Sequence, residues 1–390
     1  MKKGFALPLL LLLIVGISIG FILWKSIGKK STSDVINTNI PEIPLQVTNP
    51  SQPGVTVEDI PQVSVVATGL DTPWAIAILP EGGLLVTERK GMIRLVDSSG
   101  GLQENPVAQI SSAKEIGEGG LQGIVLHPDF ISNKYVYLYY TYAGSSDNTL
   151  NRVVRMTHEN KKLTDEKIIV DAIPGASNHD GGRIKFGPDR MLYITTGDAQ
   201  NPSLAQDTNS LAGKILRVTD EGKPAPGNPF ENRVYTFGHR NPQGIAWDSD
   251  GTLWATEHGP SGLETGNDEF NRIESGKNYG WPEIRGSQTK SGMVSPILES
   301  GRGNTWAPSG LAYVGGKFFF AGLRGQALYE VSVNGSSASL KTHFKSEFGR
   351  LREVLTGPDG MLYITTSNRD GRGNPKTDDD KIIRINPQKL

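Results

Sequence analysis

The stretch Ser177–Ala199, SNHDGGRIKFGPDRMLYITTGDA, holds one complete strand–turn–strand unit and the polar loop that leads into it. Its unit recurs along the chain. Short apolar segments before a turn lie at 73–80, 121–129, 181–189, 242–250, 308–316 and 351–359. Partners after the turn lie at 84–89, 135–141, 191–198, 252–259, 317–323 and 361–368, and third segments at 92–97, 152–157, 214–219, 270–275, 327–332 and 381–386. Each is β-branched or aromatic and bounded by Gly, Pro, Asp or Asn, which is strand chemistry. Turns such as Pro358-Asp359-Gly360 suit tight antiparallel connections. A fourth segment precedes each first one, at 63–68, 106–111, 167–173, 233–238, 295–300 and 340–345. A count of six for every strand type predicts an all-β, six-bladed β-propeller of four-stranded antiparallel blades, with a tandem of two β domains as the alternative. In such blades alternate connections fall on alternate faces. The Pro-Asp-Gly turns share one face, and the loops entering each first strand share the other with the loops from second to third strand.

The 390 residues carry a net charge of −1, which gives no sign of a nucleic-acid partner. There are no cysteines, so thiol nucleophiles, disulfides, iron–sulfur clusters and covalent haem are excluded. Phe5–Trp24 is uncharged and long enough as a helix, at roughly 30 Å, to cross a bilayer. With no convincing small-residue cleavage site, residues 1–30 read as an uncleaved membrane anchor rather than a cleaved signal. Gly16-Ile17-Ser18-Ile19-Gly20 has the spacing of a hydrolase elbow, but it lies inside this apolar run and is set aside. Residues 31–61 are rich in Ser, Thr, Asn and Pro and read as a flexible tether. The propeller domain is expected over 62–390, on the extracytoplasmic side.

Unusual residues concentrate in the loops of one face. His179, between Asn178 and Asp180, is either a proton acceptor or a locally satisfied loop histidine. The equivalent loop of the next unit is Gly238-His239-Arg240-Asn241-Pro242-Gln243, where Arg240 offers fixed charge to a developing anion. Arg350, Arg352 and Arg324 belong to further loops of this face, and Thr305 shortly precedes Pro308. Arginines converging on one axis need an anion with several carboxylates or phosphates, unless they are merely scattered on the surface. In Glu257-His258-Gly259-Pro260 the Gly-Pro pair is either a simple turn or a source of free carbonyls for a hard cation such as Ca²⁺. Asp268 and Glu269, followed by Tyr279, hold a second, structural calcium or cap a loop. The polar stretch 367–373 contacts substrate or is simply solvated. Neither a Rossmann nor a P-loop signature occurs.

The segments GEGGLQGIVLHPDF (117–130), SNHDGGRIKFGPD (177–189), YTFGHRNPQGIAW (235–247), NDEFNRIESGKNYGWP (267–282) and GRLREVLTGPDG (349–360) carry a resemblance over roughly 63–388. The chain resembles the soluble quinoprotein glucose/sorbosone dehydrogenases, and within them the aldose sugar dehydrogenases. The resemblance implies a six-bladed propeller that binds pyrroloquinoline quinone (PQQ) and Ca²⁺ and oxidises sugars to lactones. It implies that His179 is the general base, with Asp198 beside it, and that Arg240 lies at the reactive carbonyls. Asn241, Thr305, Arg324, Arg350 and Arg352 match cofactor contacts, and the carbonyls of Gly259 and Pro260 match those holding the active-site calcium. Asn178 stands where glucose-oxidising members carry an acid, Glu118 where they carry a glutamine, and Arg324 where they carry a lysine. These positions face substrate or cofactor, and the long insertions around the sugar pocket of those members are absent. The expected partners are a sugar, an external electron acceptor and the membrane. Two other readings are a calcium-dependent lactonase, which needs an axial cage of Glu, Asn and Asp, and a non-catalytic binding propeller.

Overall fold

The computed structural model describes residues 60–145, 148–262 and 265–390. The expected anchor and most of the tether lie outside these residues. Among the described residues no helix is long and apolar enough to cross a membrane.

Six four-stranded antiparallel sheets make the six blades of a propeller. The first blade comprises Pro73–Ile78, Leu84–Glu88, Met92–Val96 and Ala108–Gln109, from axis to rim. The second comprises Leu121–Leu126, Tyr135–Ala143, Thr149–Glu159 and Lys162–Pro174, and the third Ile184–Phe186, Leu192–Thr196, Lys214–Val218 and Val234–Phe237. The fourth is Pro242–Trp247, Leu253–Glu257, Glu269–Ile273 and Leu298–Glu299, and the fifth Pro308–Val314, Lys317–Gly322, Ala327–Asn334 and Ser337–His343. The sixth, Leu351–Thr356, Leu362–Thr366 and Ile382–Ile385, takes its outer strand from the other end of the domain, Val63–Ala67. Val63 pairs with Ile385, so the ring is closed by a β-ladder between its first and last strands.

The expected strands appear with shortened ends. The segments 106–111 and 295–300 reduce to two residues each. They form outer edges, and Pro106 and Pro296 have no N–H for a ladder. In the third blade the inner strand begins only at Ile184, because Gly181 and Gly182 take φ of +69° and +101°.

Packing between blades is apolar and dense. Tyr137, Tyr139 and Val153 of the second blade pack with Ile184, Ile194 and Leu216 of the third, all fully or nearly fully buried. Five inner strands bulge near their N-terminal ends, where register slips at Pro73/Ala75, Leu121/Ile124, Pro242/Gly244, Pro308/Leu311 and Leu351/Val354. A bulge frees backbone groups that must find other partners. Second-strand threonines supply them. Thr87 accepts from Ala75 N at 3.1 Å and donates to Gln122 O of the next blade at 2.6 Å. Thr256 donates to Ser309 O at 2.8 Å, and Thr365 accepts from Glu353 N at 3.0 Å; in the third blade, whose inner strand has no bulge, Thr195 likewise accepts from Arg183 N at 3.0 Å. Neighbouring inner strands approach closely: a Cβ on Gly244 would stand 2.2 Å from Ser309 O. This packing turns the loops that enter the inner strands toward the axis on one face.

Candidate active site

A cavity of about 240 Å³ opens on that face. The loop entering the third blade brings His179, the next brings Arg240, the loop before the fifth blade brings Thr305, the loop before the sixth brings Arg350, and the inner strand of the sixth brings Arg352. Arg324, Gly259, Pro260 and Glu118 complete the wall.

His179 has φ of +66°, a left-handed conformation that a non-glycine residue adopts at a cost. The backbone leaves no slack, since a Cβ on Gly197 would fall 1.8 Å from His179 O. The His179 ring pairs through Nδ1 with Asp198 Oδ1 at 2.7 Å. Asp198 is fully buried and also accepts from Gln200 N and from Trp281 Nε1, both at 2.8 Å. A carboxylate so held accepts from Nδ1–H. It thereby fixes the tautomer in which Nε2 carries a lone pair and accepts a proton.

Arg240 and Arg352 are 7 % and 5 % exposed, and no carboxylate pairs with either among the described residues. Arg240 donates to His258 O at 3.2 Å and lies over the Trp281 ring at 5.4 Å. Arg352 donates to Gln243 Oε1 at 2.8 Å. Burial, with Arg350 and Arg89 close by, pushes the Arg352 guanidinium down to about 9. Burial lowers Arg240 as well. Their Nε atoms and Asn241 Nδ2 are buried without hydrogen-bond partners. A buried donor left unpaired costs on the order of 1–3 kcal/mol, so this wall favours an anion rich in acceptors. Arg350 differs, because Asp370 takes its Nε and Nη2 at 2.9 and 2.8 Å. Arg324 is exposed at the rim.

His258 also lines the cavity. Burial, with Arg240 and Arg352 adding to it, holds its pKa down to about 4. Of the two expected cation carbonyls, Pro260 O accepts from Gly266 N at 3.3 Å. A carbonyl has a second lone pair, so this bond leaves room for a ligand.

The expected trio Asp268, Glu269 and Tyr279 does not converge. Asp268 faces the main cavity, where Oδ1 accepts from Gly259 N at 2.8 Å and Oδ2 from Thr305 Oγ1, Trp306 N and Ala307 N at 2.7, 2.7 and 2.8 Å. It ties the Gly259-Pro260 turn to the Thr305 loop. Glu269 and Tyr279 line a separate small cavity behind the turn. There burial, with Glu257 nearby, raises Glu269 to about 8. Asp268 lies in the loop just before the strand Glu269–Ile273, and its contacts with Gly259 and the Thr305–Ala307 loop hold its carboxylate away from that small cavity.

Two contributors are less visible in the sequence. Trp281 reaches Asp198 from 83 residues away. Arg372, in the polar loop after the last blade's second strand, bonds Glu118 Oε1 and reaches Asn178 Oδ1 at 3.2 Å, linking three loops over the cavity mouth. Its cue was the arginine-rich run Arg369-Asp370-Gly371-Arg372, which gives no direction for the side chain. Burial works against the Glu118 charge, but His258, Arg372 and Arg352 hold its carboxyl down to about 2.

Comparison with known proteins places this geometry. An aldose sugar dehydrogenase of Escherichia coli is 33 % identical over 358 residues, covering 84 % of this chain and 93 % of that one. Quinoprotein glucose dehydrogenase B of Acinetobacter calcoaceticus is 32 % identical over 266 residues, covering 59 % of this chain and 54 % of that protein. The PQQ-bound aldose sugar dehydrogenase of Streptomyces coelicolor superposes with a TM-score of 0.76 at 42 % identity, over 83 % of this chain and 97 % of that one. The family profile for glucose/sorbosone dehydrogenase matches residues 70–383, and the chain belongs to that family.

Proposed function

We propose that this protein oxidises the C1 hydroxyl of an aldose to the lactone, with PQQ as hydride acceptor and Ca²⁺ as its Lewis acid. One observation carries the reading: the oriented His179–Asp198 pair shares a cavity with buried guanidinium donors that have no anion of their own. When bound, the quinone would supply the hydride acceptor and the metal a Lewis acid.

The chain's own residues do the rest. His179 Nε2 takes the C1 hydroxyl proton as the C–H bond breaks. Asp198 stabilises the imidazolium that results and keeps the ring from turning. Arg240 stabilises developing negative charge beside it. Arg352, Arg350, Arg324, Asn241 and Thr305 would hold the cofactor. The Gly259 and Pro260 carbonyls would hold the calcium. Glu118 and Asn178 meet the sugar at the mouth. Glu269 and Tyr279 are candidates for a second, structural calcium in the small cavity behind the turn.

A lactonase would require a cage of acidic and amide side chains on the axis. Among the described residues no group of three or more His, Asp or Glu is disposed to hold a metal. That supports the dehydrogenase reading, as does the arginine-rich wall. The two electrons leave to an external acceptor, and we place the enzyme on the extracytoplasmic side, held by its N-terminal segment. The test is reconstitution: protein stripped with chelator, then given PQQ and Ca²⁺, should take up the cofactor and reduce a dye when an aldose is added. Failure to take up PQQ overturns the proposal.

A further inference from the structure

On the opposite face of the ring lies a second cavity, of about 410 Å³. Its walls are the C-terminal ends of the inner strands and the turns after them, with Ile78, Leu126, Phe186, Trp247 and Leu355 half-buried around the opening. Its floor is charged: Arg183, Lys185 and Glu353 line it. Monomeric proteins rarely leave an apolar funnel of this kind open without a use for it.

The floor has more positive charge and more donors than the protein consumes. Arg183 is 2 % exposed, lies over the Trp74 ring at 4.3 Å, gives Nε to Gln243 O at 3.0 Å, and gives Nη1 to Glu353. Its Nη2 is buried with no partner. Lys185 gives one hydrogen bond, to Leu311 O at 2.9 Å, out of the three an ammonium can make. Glu353 is already engaged at both oxygens, by Arg183 and by Val354 N at 3.0 Å. Two cations therefore face one carboxylate, at the bottom of an apolar well.

We infer that this far-face funnel is a second ligand site, for a small amphipathic carboxylate whose apolar tail lies against Trp247 and Phe186 and whose head reaches Lys185 and the free edge of Arg183. Burial lowers Lys185 to about 8, with Glu353 opposing the shift, so its ammonium is still largely charged at neutral pH. This site shares no residue with the near-face cavity and does not depend on the proposed reaction.

The full chain without PQQ is titrated with octanoate and, separately, with octanol, below their aggregation limits, by calorimetry and by Trp247 fluorescence. Saturable octanoate binding at least tenfold tighter than octanol is expected. Lys185→Met should weaken octanoate at least tenfold and leave octanol unchanged. Trp247→Phe should abolish the fluorescence change. Equal affinity for acid and alcohol overturns the inference, as does an absence of binding or octanoate binding unaltered in Lys185→Met. If that variant does not fold, the acid-to-alcohol ratio of the unsubstituted chain decides alone.

Discussion

His179 and His239 occupy corresponding loops of successive blades. Each ring gives Nδ1 to a carboxylate at the end of a second strand, Asp198 at 2.7 Å and Glu257 at 2.8 Å. The other ring nitrogen separates them. His239 is fully buried, its Nε2 meets Thr236 Oγ1 at 2.9 Å, and its ring stacks on Tyr279 at 4.7 Å. His179 lines the cavity, with Nε2 left unspent. The carboxylates differ as well. In the first and fourth blades the last residue of the second strand caps a backbone N–H of the loop entering the inner strand, as Glu88 takes Asp71 N and Glu257 takes Arg240 N, and in the sixth Asn368, two residues past the strand as Asp198 is in the third, takes Arg350 N. In the third blade Asp198 takes a histidine ring instead. One structural device, repeated around the ring, becomes chemical where a ring nitrogen replaces the backbone as donor.

The largest expected effect tests this contrast directly. His179→Ala should lower kcat of PQQ-loaded protein by roughly 10²–10⁴ while PQQ uptake and the thermal midpoint hold. Unchanged turnover would erase the distinction. His239→Ala should act on stability, by about 3 kcal/mol in urea unfolding, because Glu257 is left buried without its ring partner. Asp198→Asn keeps a side chain of the same shape but removes the charge that stabilises an imidazolium, so kcat should fall by roughly 10² and the acid limb of the pH profile should move.

Arg352→Gln should weaken PQQ binding by about tenfold or more, measured by fluorescence titration, without destabilising the apo-protein. A parallel loss of apo stability would mean that the guanidinium serves the fold. The smallest effect concerns Glu118. Its carboxyl is depressed to about 2 from 4.5, so its contribution to stability is full above pH 4.5 and is lost as pH falls toward 2. Acid unfolding of Glu118→Gln should therefore differ from that of the parent above pH 4.5 and converge with it near pH 2.

The repeats made the fold legible, because each strand is bracketed by its own turn residues and all four strand types count to six. His179, Arg240, Arg350 and Arg352 were legible for the same reason, since topology alone sends their loops to one face. What escaped was contact between distant segments. Nothing near Asp198 announces Trp281, and nothing near Glu118 announces Arg372, 254 residues later. Asp268 misled for a related reason: an acid beside another acid looks like a cation site until its acceptors are seen to be filled by the Thr305–Ala307 loop.

The ladder between Val63–Ala67 and Ile382–Ile385 has a consequence for how the enzyme is made. Arg350 and Arg352 come from the blade that this ladder completes, so the cofactor wall is finished only when the ring shuts. A growing polypeptide carries an unpaired first strand until residues 382–385 leave the ribosome. Synthesis and competence are thereby coupled: a chain cut short before residue 382 keeps His179 and Asp198 but lacks the third strand of the blade that carries Arg350 and Arg352, and with it the pairing that closes the ring.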